Sequence, residues 1–466
     1  MNEQRHGASF RDPSGFIYVH DGRVYRQVNE RYASEYEHLM ASGLYEALSG
    51  KRWLIPHEEV PAPTETSSEA FRTLLPEPLE FVSYPYEWSF SQLQDAALLT
   101  LRIQRRALEF DMTLRDASAY NVQFQHGRPV FIDTLSFGHY TEGEPWVGYR
   151  QFCQHFLAPL ALMSRRDIRL EQLLTQHIDG VPLDLAVSLL PWRSWLNLGL
   201  LMHLRLHARY QRRYQSAGSA GDESQAPPAR APAVSRAGHQ NLIQALENTI
   251  RRLTWKPEGT EWADYYEGDS YEAESLEAKK ALVGRFLSAL APQRVWDLGA
   301  NTGVYSRVAA SGGAQVCSFD IDPACVERNY RTVREQKERS LLPLRLDLTN
   351  PSPAIGWAHR ERASLAQRAN ADTILALALI HHLAISNNVP LREIARFLAE
   401  LAPSLVIEFV PKEDAKVQTL LASREDIFPD YTQAGFEAAF TTLWEIEEAA
   451  PIPGSSRTLY RLRRRR

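Results

Sequence analysis

The sequence predicts an α/β protein in two parts, an open and mostly parallel sheet in the C-terminal half and an α+β unit in the N-terminal half. Three observations predict it. Residues 294–310 read as a buried strand, a glycine-hinged turn and a helix. Apolar runs of strand length then alternate with helical stripes as far as residue 409, the pattern of strand-helix-strand crossovers. Residues 215–240 (QSAGSAGDESQAPPARAPAVSRAGHQ) are rich in Ala, Ser, Gly and Pro with almost no large apolar side chain, and so read as a disordered linker. The expected division is therefore 1–214, linker 215–240 and 241–466.

At 466 residues, with 44% hydrophobic and 23% charged, the chain has material for two or three soluble domains. A net charge of -5 argues against nucleic acid as a general partner. The basic run 461–466 (RLRRRR) is expected to be a solvated tail. Cys153, Cys317 and Cys325 are too few and too scattered for a disulfide framework or a zinc site, which points to a reducing cytoplasm. No run reaches the ~18 apolar residues of a membrane helix and no secretory leader is evident, so no membrane partner is expected. The oligomeric state is left open.

In the N-terminal half, residues 16–28 (FIYVHDGRVYRQV) alternate around Asp21-Gly22, a hairpin signal. A helical stripe follows over 33–48, short apolar pieces at 53–55 and 79–82, and a helix over 89–109. Residues 146–163 and 183–210 are largely apolar and helical, with His203 and His207 read as a surface pair rather than metal ligands. The segment LRDASAYNVQF, residues 114–124, and the strand PVFID ending at Asp133 resemble the catalytic-loop and metal-binding segments of protein-kinase-like folds. The resemblance gives Asp116 the catalytic-base position and Asn121 and Asp133 the places of magnesium ligands, with ATP as the nucleotide. It makes residues 80–83 a hinge and Glu35 or Glu37 the carboxylate of the neighbouring helix. The sequence departs from the family in lacking a glycine-rich loop and the usual lysine, whose place falls nearest Arg26, and in having Thr134-Leu135 after Asp133. The plain alternative is that Asp116 and Asn121 cap a turn and Asp133 ends a strand.

In the C-terminal half, residues 241–253 and 273–290 read as helices, and the aromatic-acidic segment 262–267, with Tyr265 and Tyr266, precedes the second of them, with Tyr271 after it, as an extension that can pack on the sheet. The pattern Asp297-x-Gly299-Ala300-Asn301-x-Gly303 places an acid where a dinucleotide loop would meet pyrophosphate, and so disfavours a nicotinamide cofactor. A second strand, 314–319, ends at Asp320, a bidentate acceptor for vicinal hydroxyls, while Asp322 before Pro323 reads as a helix cap. A third strand, 341–346, ends at Asp347. A fourth, 371–379, delivers His381 and His382, and a fifth, 404–409, carries Glu408 inside a buried run. Runs 440–446 and 458–462 close the sheet, with residues 431–440 as a wall beside them. These signals, in this order, resemble the Rossmann-like, seven-stranded class I S-adenosylmethionine-dependent methyltransferases over residues 241–463.

The resemblance implies S-adenosylmethionine as cofactor, bound by Asp297, Gly299, Ala300, Asn301, Gly303, Asp320 and Asp347, with the adenine amino group against Asp347. It also implies a methyl acceptor, whether small molecule, saccharide or protein. His381 or His382 either acts as a general base with a pKa near neutrality or orients its loop. Glu408 orients a histidine, binds a cationic acceptor, or pairs with Lys412. The competing readings are a nicotinamide-dependent enzyme and a kinase-like phosphotransferase whose C-terminal half senses a cofactor.

Overall fold

The computed structural model describes residues 5–63, 69–206, 233–258, 270–422 and 425–465, with the backbone alone over 270–275. The chain forms two compact units, one of Met1–Leu79, Ser83–Trp255 and Ile355–Arg362, the other of Glu80–Val82, Lys256–Ala354 and Ala363–Arg466.

This division corrects the expected boundary near 241. Helix Arg236–Arg252 starts earlier than expected, with Ser235 accepting from the Gly238 amide at its N-terminus. It buries Ile243, Leu246 and Ile250 within the N-terminal unit. Gln94, on helix Phe90–Leu108, donates to the carbonyls of Ile250 and Leu253 at 2.9 Å each, and Arg105 pairs with Glu247 at 2.7 Å. A polar stretch can precede such a helix without being a boundary, because what assigns the helix is its apolar face. The remainder of the expected linker, residues 215–232, lies outside the described residues, as does His207. His203 is buried, with Nδ1 2.9 Å from the Tyr149 hydroxyl.

The N-terminal unit carries a four-stranded antiparallel sheet in the order β1-β2-β4-β3, from β1 (Gly15–His20), β2 (Arg23–Asn29), β3 (His57–Glu59) and β4 (Ala70–Pro76). Asp21 (φ 48°) and Gly22 (φ 73°) form the turn of its first hairpin. The stripe expected as one helix is two, Ala33–Ala41 and Leu44–Ser49, because the chain turns at Gly43 with φ 84°. Below the sheet, strands β5 (Met112–Leu114) and β8 (Phe137–His139) pair, as do β6 (Val122–Gln125) and β7 (Arg128–Phe131). The expected hinge at 80–83 is also corrected. Phe81 packs edge-on against Trp296 and Phe319 within the C-terminal unit, with ring centroids 5.5 and 6.0 Å away.

The C-terminal unit is built on a seven-stranded sheet in the order β11-β10-β9-β12-β13-β15-β14. The strands are β9 (Arg294–Leu298), β10 (Gln315–Asp320), β11 (Leu341–Arg345), β12 (Thr373–Ala376), β13 (Ser404–Phe409), β14 (Trp444–Pro451) and β15 (Thr458–Arg464). The first five are parallel, and β15 runs antiparallel to both β13 and β14. Strand direction therefore reverses only in the closing hairpin. Val295, Val316, Leu375 and Val406 join Val283 and Phe286 in its core. Helix Leu391–Leu401 buries Leu391, Ile394, Leu398 and Leu401, as its period predicts.

Two local expectations fail here. The run 440–446 enters the sheet only at Trp444, since helix Gln433–Phe440 occupies the expected wall and uses Phe436 and Phe440 as buried anchors. The basic run is not a tail, because Arg461 and Arg463 lie in β15 and pair with Glu447 on β14 at 3.2 and 2.6 Å. A cross-strand partner of opposite charge accounts for a basic strand.

Candidate functional site

In an open parallel sheet, polar ligands bind beyond the carboxyl ends of the strands, where the order reverses. That point lies between β9 and β12. The turn after β9 is held by its own backbone. The amides of Gly299 and Ala300 both donate to the Phe319 carbonyl at 2.9 Å, and the Gly303 amide donates to Ala300 at 2.9 Å. Gly299 and Gly303 have φ of 78° and 81°. A Cβ on Gly303 would lie 2.6 Å from Asn329 Nδ2 and 2.7 Å from Arg307 Nη1, so both conformation and space require glycine there. Helix Val304–Ser311 starts from this turn.

Two acids face each other across the turn. Asp297, at the end of β9, is 2% exposed and accepts from the Ser306 hydroxyl at 2.6 Å, and Ser318 in turn donates to Ser306 at 2.8 Å. Asp320, at the end of β10, accepts from the Asn301 amide at 2.7 Å on one oxygen and from the Asp322 amide at 2.8 Å on the other. Burial pushes both carboxyls up to about 6, and the charge of Asp320 adds to the effect on Asp297. A pair of buried, mutually repelling carboxylates favours a cationic or hydroxyl-bearing ligand. Asp322 caps helix Pro323–Gln336. Asp347, beyond β11, is half-buried and accepts from the Thr349 amide and hydroxyl at 2.8 and 2.6 Å through Oδ1.

The loop after β12 departs further from expectation. The strand stops at Ala376 rather than 379, because Ala378 takes φ 48° and its amide donates to Glu408 at 2.8 Å. Glu408 is wholly buried and holds Lys279 at 2.5 Å and Arg457 at 3.2 Å, while Arg457 also binds Asp414 at 2.7 Å. Pairing of Glu408 with Lys412 is thus overturned, since Lys412 pairs with Asp426 at 2.7 Å and leaves the buried charge to nearer cations. Burial alone would raise the Glu408 carboxyl, but Lys279 and Arg457 hold it below its ordinary value. Glu408 fixes the loop through Ala378 rather than through a histidine.

His381 is 2% exposed, its ring centroid is 4.1 Å from that of His382, and its Nδ1 makes no hydrogen bond among the described residues. Burial first, then His382 and Arg457, depress its pKa to about 2. Its burial and the nearby Arg457 and Lys279 thus disfavour the protonated imidazole. His382 is half-buried and also lowered by burial. Trp262, Tyr265 and Tyr266 lie outside the described residues, as does the side chain of Tyr271.

Ser306, Arg307, Lys279, Asp414 and Arg457 were not expected in the site. Arg307 donates to the carbonyls of Thr302 and Gly303 at 2.8 and 3.1 Å and pairs with Glu338 at 2.8 Å, which clamps the turn from outside. Lys279 did leave a signal, because it stands in phase with Leu276, Val283 and Phe286 on an apolar helical stripe.

In the N-terminal unit the three expected residues do meet. Asp116 hydrogen-bonds the side chains of Asn121 and Gln151 and the Ser118 amide, and its carboxyl is raised by burial and by Asp133. Asn121 donates to the Ser136 hydroxyl at 3.2 Å, and Ser136 donates to Asp133. Asp133 is ion-paired with Arg26 on β2. The magnesium expectation for Asn121 and Asp133 does not fit this arrangement, because the guanidinium already neutralises the carboxylate that a dication needs. Among the described residues no group of three or more His, Cys, Asp or Glu is placed to hold a metal. Nor does Glu35 meet Arg26; it lies 3.4 Å from Arg115.

A mostly parallel, seven-stranded sheet with helices between its strands, a glycine turn and two buried acids at the strand carboxyl ends makes the C-terminal unit an open α/β domain. No protein-family profile matches the chain. It is 38% identical over 467 residues to the nodulation protein NoeA of Rhizobium meliloti (strain 1021), spanning 99% of this chain and 96% of that protein. The chain belongs to the NoeA family. Among solved structures it is similar to the magnesium protoporphyrin IX methyltransferase ChlM of Synechocystis PCC 6803 with bound SAH, at 18% identity over 42% of this chain and 89% of that one, TM-score 0.31. It is also similar to the N-methyltransferase NodS of Bradyrhizobium japonicum WM9 in complex with S-adenosyl-L-homocysteine, at 14% identity over 45% of this chain and 94% of that one, TM-score 0.32. No helix of the described residues is long and apolar enough to cross a membrane.

Proposed function

We propose that the C-terminal unit binds S-adenosylmethionine and transfers its methyl group to an acceptor held beside the loop after β12. The observation that carries this reading is the pair of buried acids, Asp297 and Asp320, set on either side of the Gly299 to Gly303 turn. A pyrophosphate would be repelled there, whereas a ligand with an ammonium group and vicinal hydroxyls suits both acids. Asp320, a carboxylate with acceptor capacity beyond the backbone amides it already binds, is placed to take the ribose hydroxyls. Asp297 supplies the negative field at the cationic end, and Asp347 lies at the third strand end for the adenine.

The bound cofactor supplies an electrophilic methyl group. What this chain contributes is position, and holding acceptor and methyl in line supplies much of the rate. Glu408 fixes the Ala378 turn, which sets the direction of His381 and His382. With both imidazoles depressed, His382, the more exposed, is the one left to receive a proton from an acceptor. The N-terminal unit, read as a kinase-like module whose Arg26 stands against Asp133, serves to hold the acceptor rather than to phosphorylate it. The kinship with NoeA extends the proposal to a product used in nodulation, the process in that protein's name.

Isothermal titration of the full chain tests the cofactor. S-adenosylmethionine and its demethylated product are expected to bind and NAD not to; binding of NAD alone would overturn the reading in favour of a nicotinamide enzyme. A melting experiment tests the other unit. ATP with magnesium is expected to leave the transition unchanged, while a clear upward shift, abolished by Asp133→Ala, would restore the phosphotransferase reading.

A further inference from the structure

A cavity of about 970 Å³ lies within the N-terminal unit, between the segment 191–203 and helix Arg236–Arg252. Three arginines line it, Arg165, Arg193 and Arg252, and no Asp or Glu stands among its described lining residues. All three are exposed, and none has an ion-pair partner among the described residues, so their charge is open to a ligand. Ser194 also lines the cavity. It is 4% exposed, with its Oγ shut off from solvent.

Part of the lining is apolar and exposed among the described residues. Leu196, Leu198 and Met202 line the same cavity and are 79%, 70% and 51% exposed, and the neighbouring Trp192 is 69% exposed. Four such groups fall within one eleven-residue segment and supply an apolar side to the cavity. Cations without carboxylate partners beside such a surface call for a ligand with two ends.

We propose that this cavity is a binding site for an anionic amphiphile, with a phosphate, sulfate or carboxylate held by Arg165, Arg193 and Arg252, and an apolar body laid on Leu196, Leu198 and Met202. Guanidinium groups take oxyanions through paired N–H donors, which fixes the head, and the leucines exclude water from the tail. The site is independent of the methyl-transfer reading, because no residue of the C-terminal unit enters it.

Titration calorimetry of the full chain with octyl phosphate below its micelle concentration tests the proposal, with octyl glucoside and inorganic phosphate as the other arms. Octyl phosphate is expected to bind at least about tenfold more tightly than either, a margin set by one charge-assisted contact. The triple substitution Arg165→Gln, Arg193→Gln, Arg252→Gln is expected to abolish the advantage over octyl glucoside, and Leu196→Ser with Leu198→Ser the advantage over inorganic phosphate. All these positions but Arg165 and Arg252 lie on one exposed segment, and a melting transition matching that of the parent protein confirms that the variants fold. Equal affinity for octyl phosphate and octyl glucoside, or an undiminished advantage in the arginine variant, overturns the anionic head. Inorganic phosphate as potent as octyl phosphate overturns the amphiphile.

Discussion

Asp320→Ala is expected to weaken S-adenosylmethionine binding by about 100-fold or more, measured by calorimetry at pH 7.5. The carboxylate is asked to do two things at once. On the proposed reading it accepts from two ligand hydroxyls, each charged hydrogen bond contributing about 1.5–3 kcal/mol. It also holds the Asn301 amide at 2.7 Å, so its loss frees the turn whose shape the ligand needs. Asp320→Asn, which keeps an oxygen toward one of these groups, should fall between. The pH dependence has a definite sign. Both Asp320 and Asp297 are raised to about 6 in the free protein, so below that pH they are increasingly neutral and poor partners for a cationic, hydroxyl-rich ligand. Affinity should therefore rise from pH 5 to 7.5 and flatten above, with apparent pKa values that belong to the coupled pair. The same shifts mean that these carboxyls favour the folded free protein most below their ordinary value of 3.8 and that this contribution is lost as pH rises through about 6. Thermal stabilisation by the ligand should accordingly be largest near neutral pH. A flat affinity profile across that range, with Asp320→Ala unimpaired, would sink the assignment of these acids to the cofactor.

Much of this unit was legible in the sequence because its signals are local. Strand β9 is Arg294–Leu298 as read, since an apolar run bounded by glycine leaves little choice. Helix Leu391–Leu401 announces itself through its period, and Gly299 and Gly303 through the geometry that only glycine adopts cheaply.

What escaped depends on residues far apart in the chain. Arg26 and Asp133 stand 107 positions apart, so nothing near either one announces that a guanidinium occupies the place expected of a metal ion. The single helix expected over 33–48 broke at Gly43, where glycine propensity alone does not say whether the chain bends. Helix Arg236–Arg252 was assigned to the wrong side of the linker because polar composition marks solvent exposure and not which core a following helix joins. The basic end of the chain looked like a tail only while Glu447 and Glu448 on the neighbouring strand were out of view.

Glu408→Gln is expected to lower stability by about 3–5 kcal/mol, the usual cost of leaving a buried charge unpaired. The carboxylate is wholly buried, and it is the shared partner of Lys279 and Arg457 as well as the acceptor for Ala378. Arg457 can fall back on Asp414, so the stranded group is Lys279, whose side chain is 12% exposed. Adding Lys279→Met should then recover part of the loss, a non-additivity that a simple cavity or packing defect does not produce. The pH dependence runs opposite to that of the two strand-end acids. Because Glu408 is held below its ordinary value of 4.5, its contribution is present above that pH and is lost as pH falls through the lower folded value. Urea unfolding of the three proteins at pH 7.5 and pH 4 measures both effects. A double variant no more stable than Glu408→Gln would mean that the charges are not the reason for the loss. Since Glu408 sets the turn at Ala378, methyl transfer should fall in the single variant even under conditions where it stays folded, whereas cofactor affinity, which rests on the turn after β9, should change little.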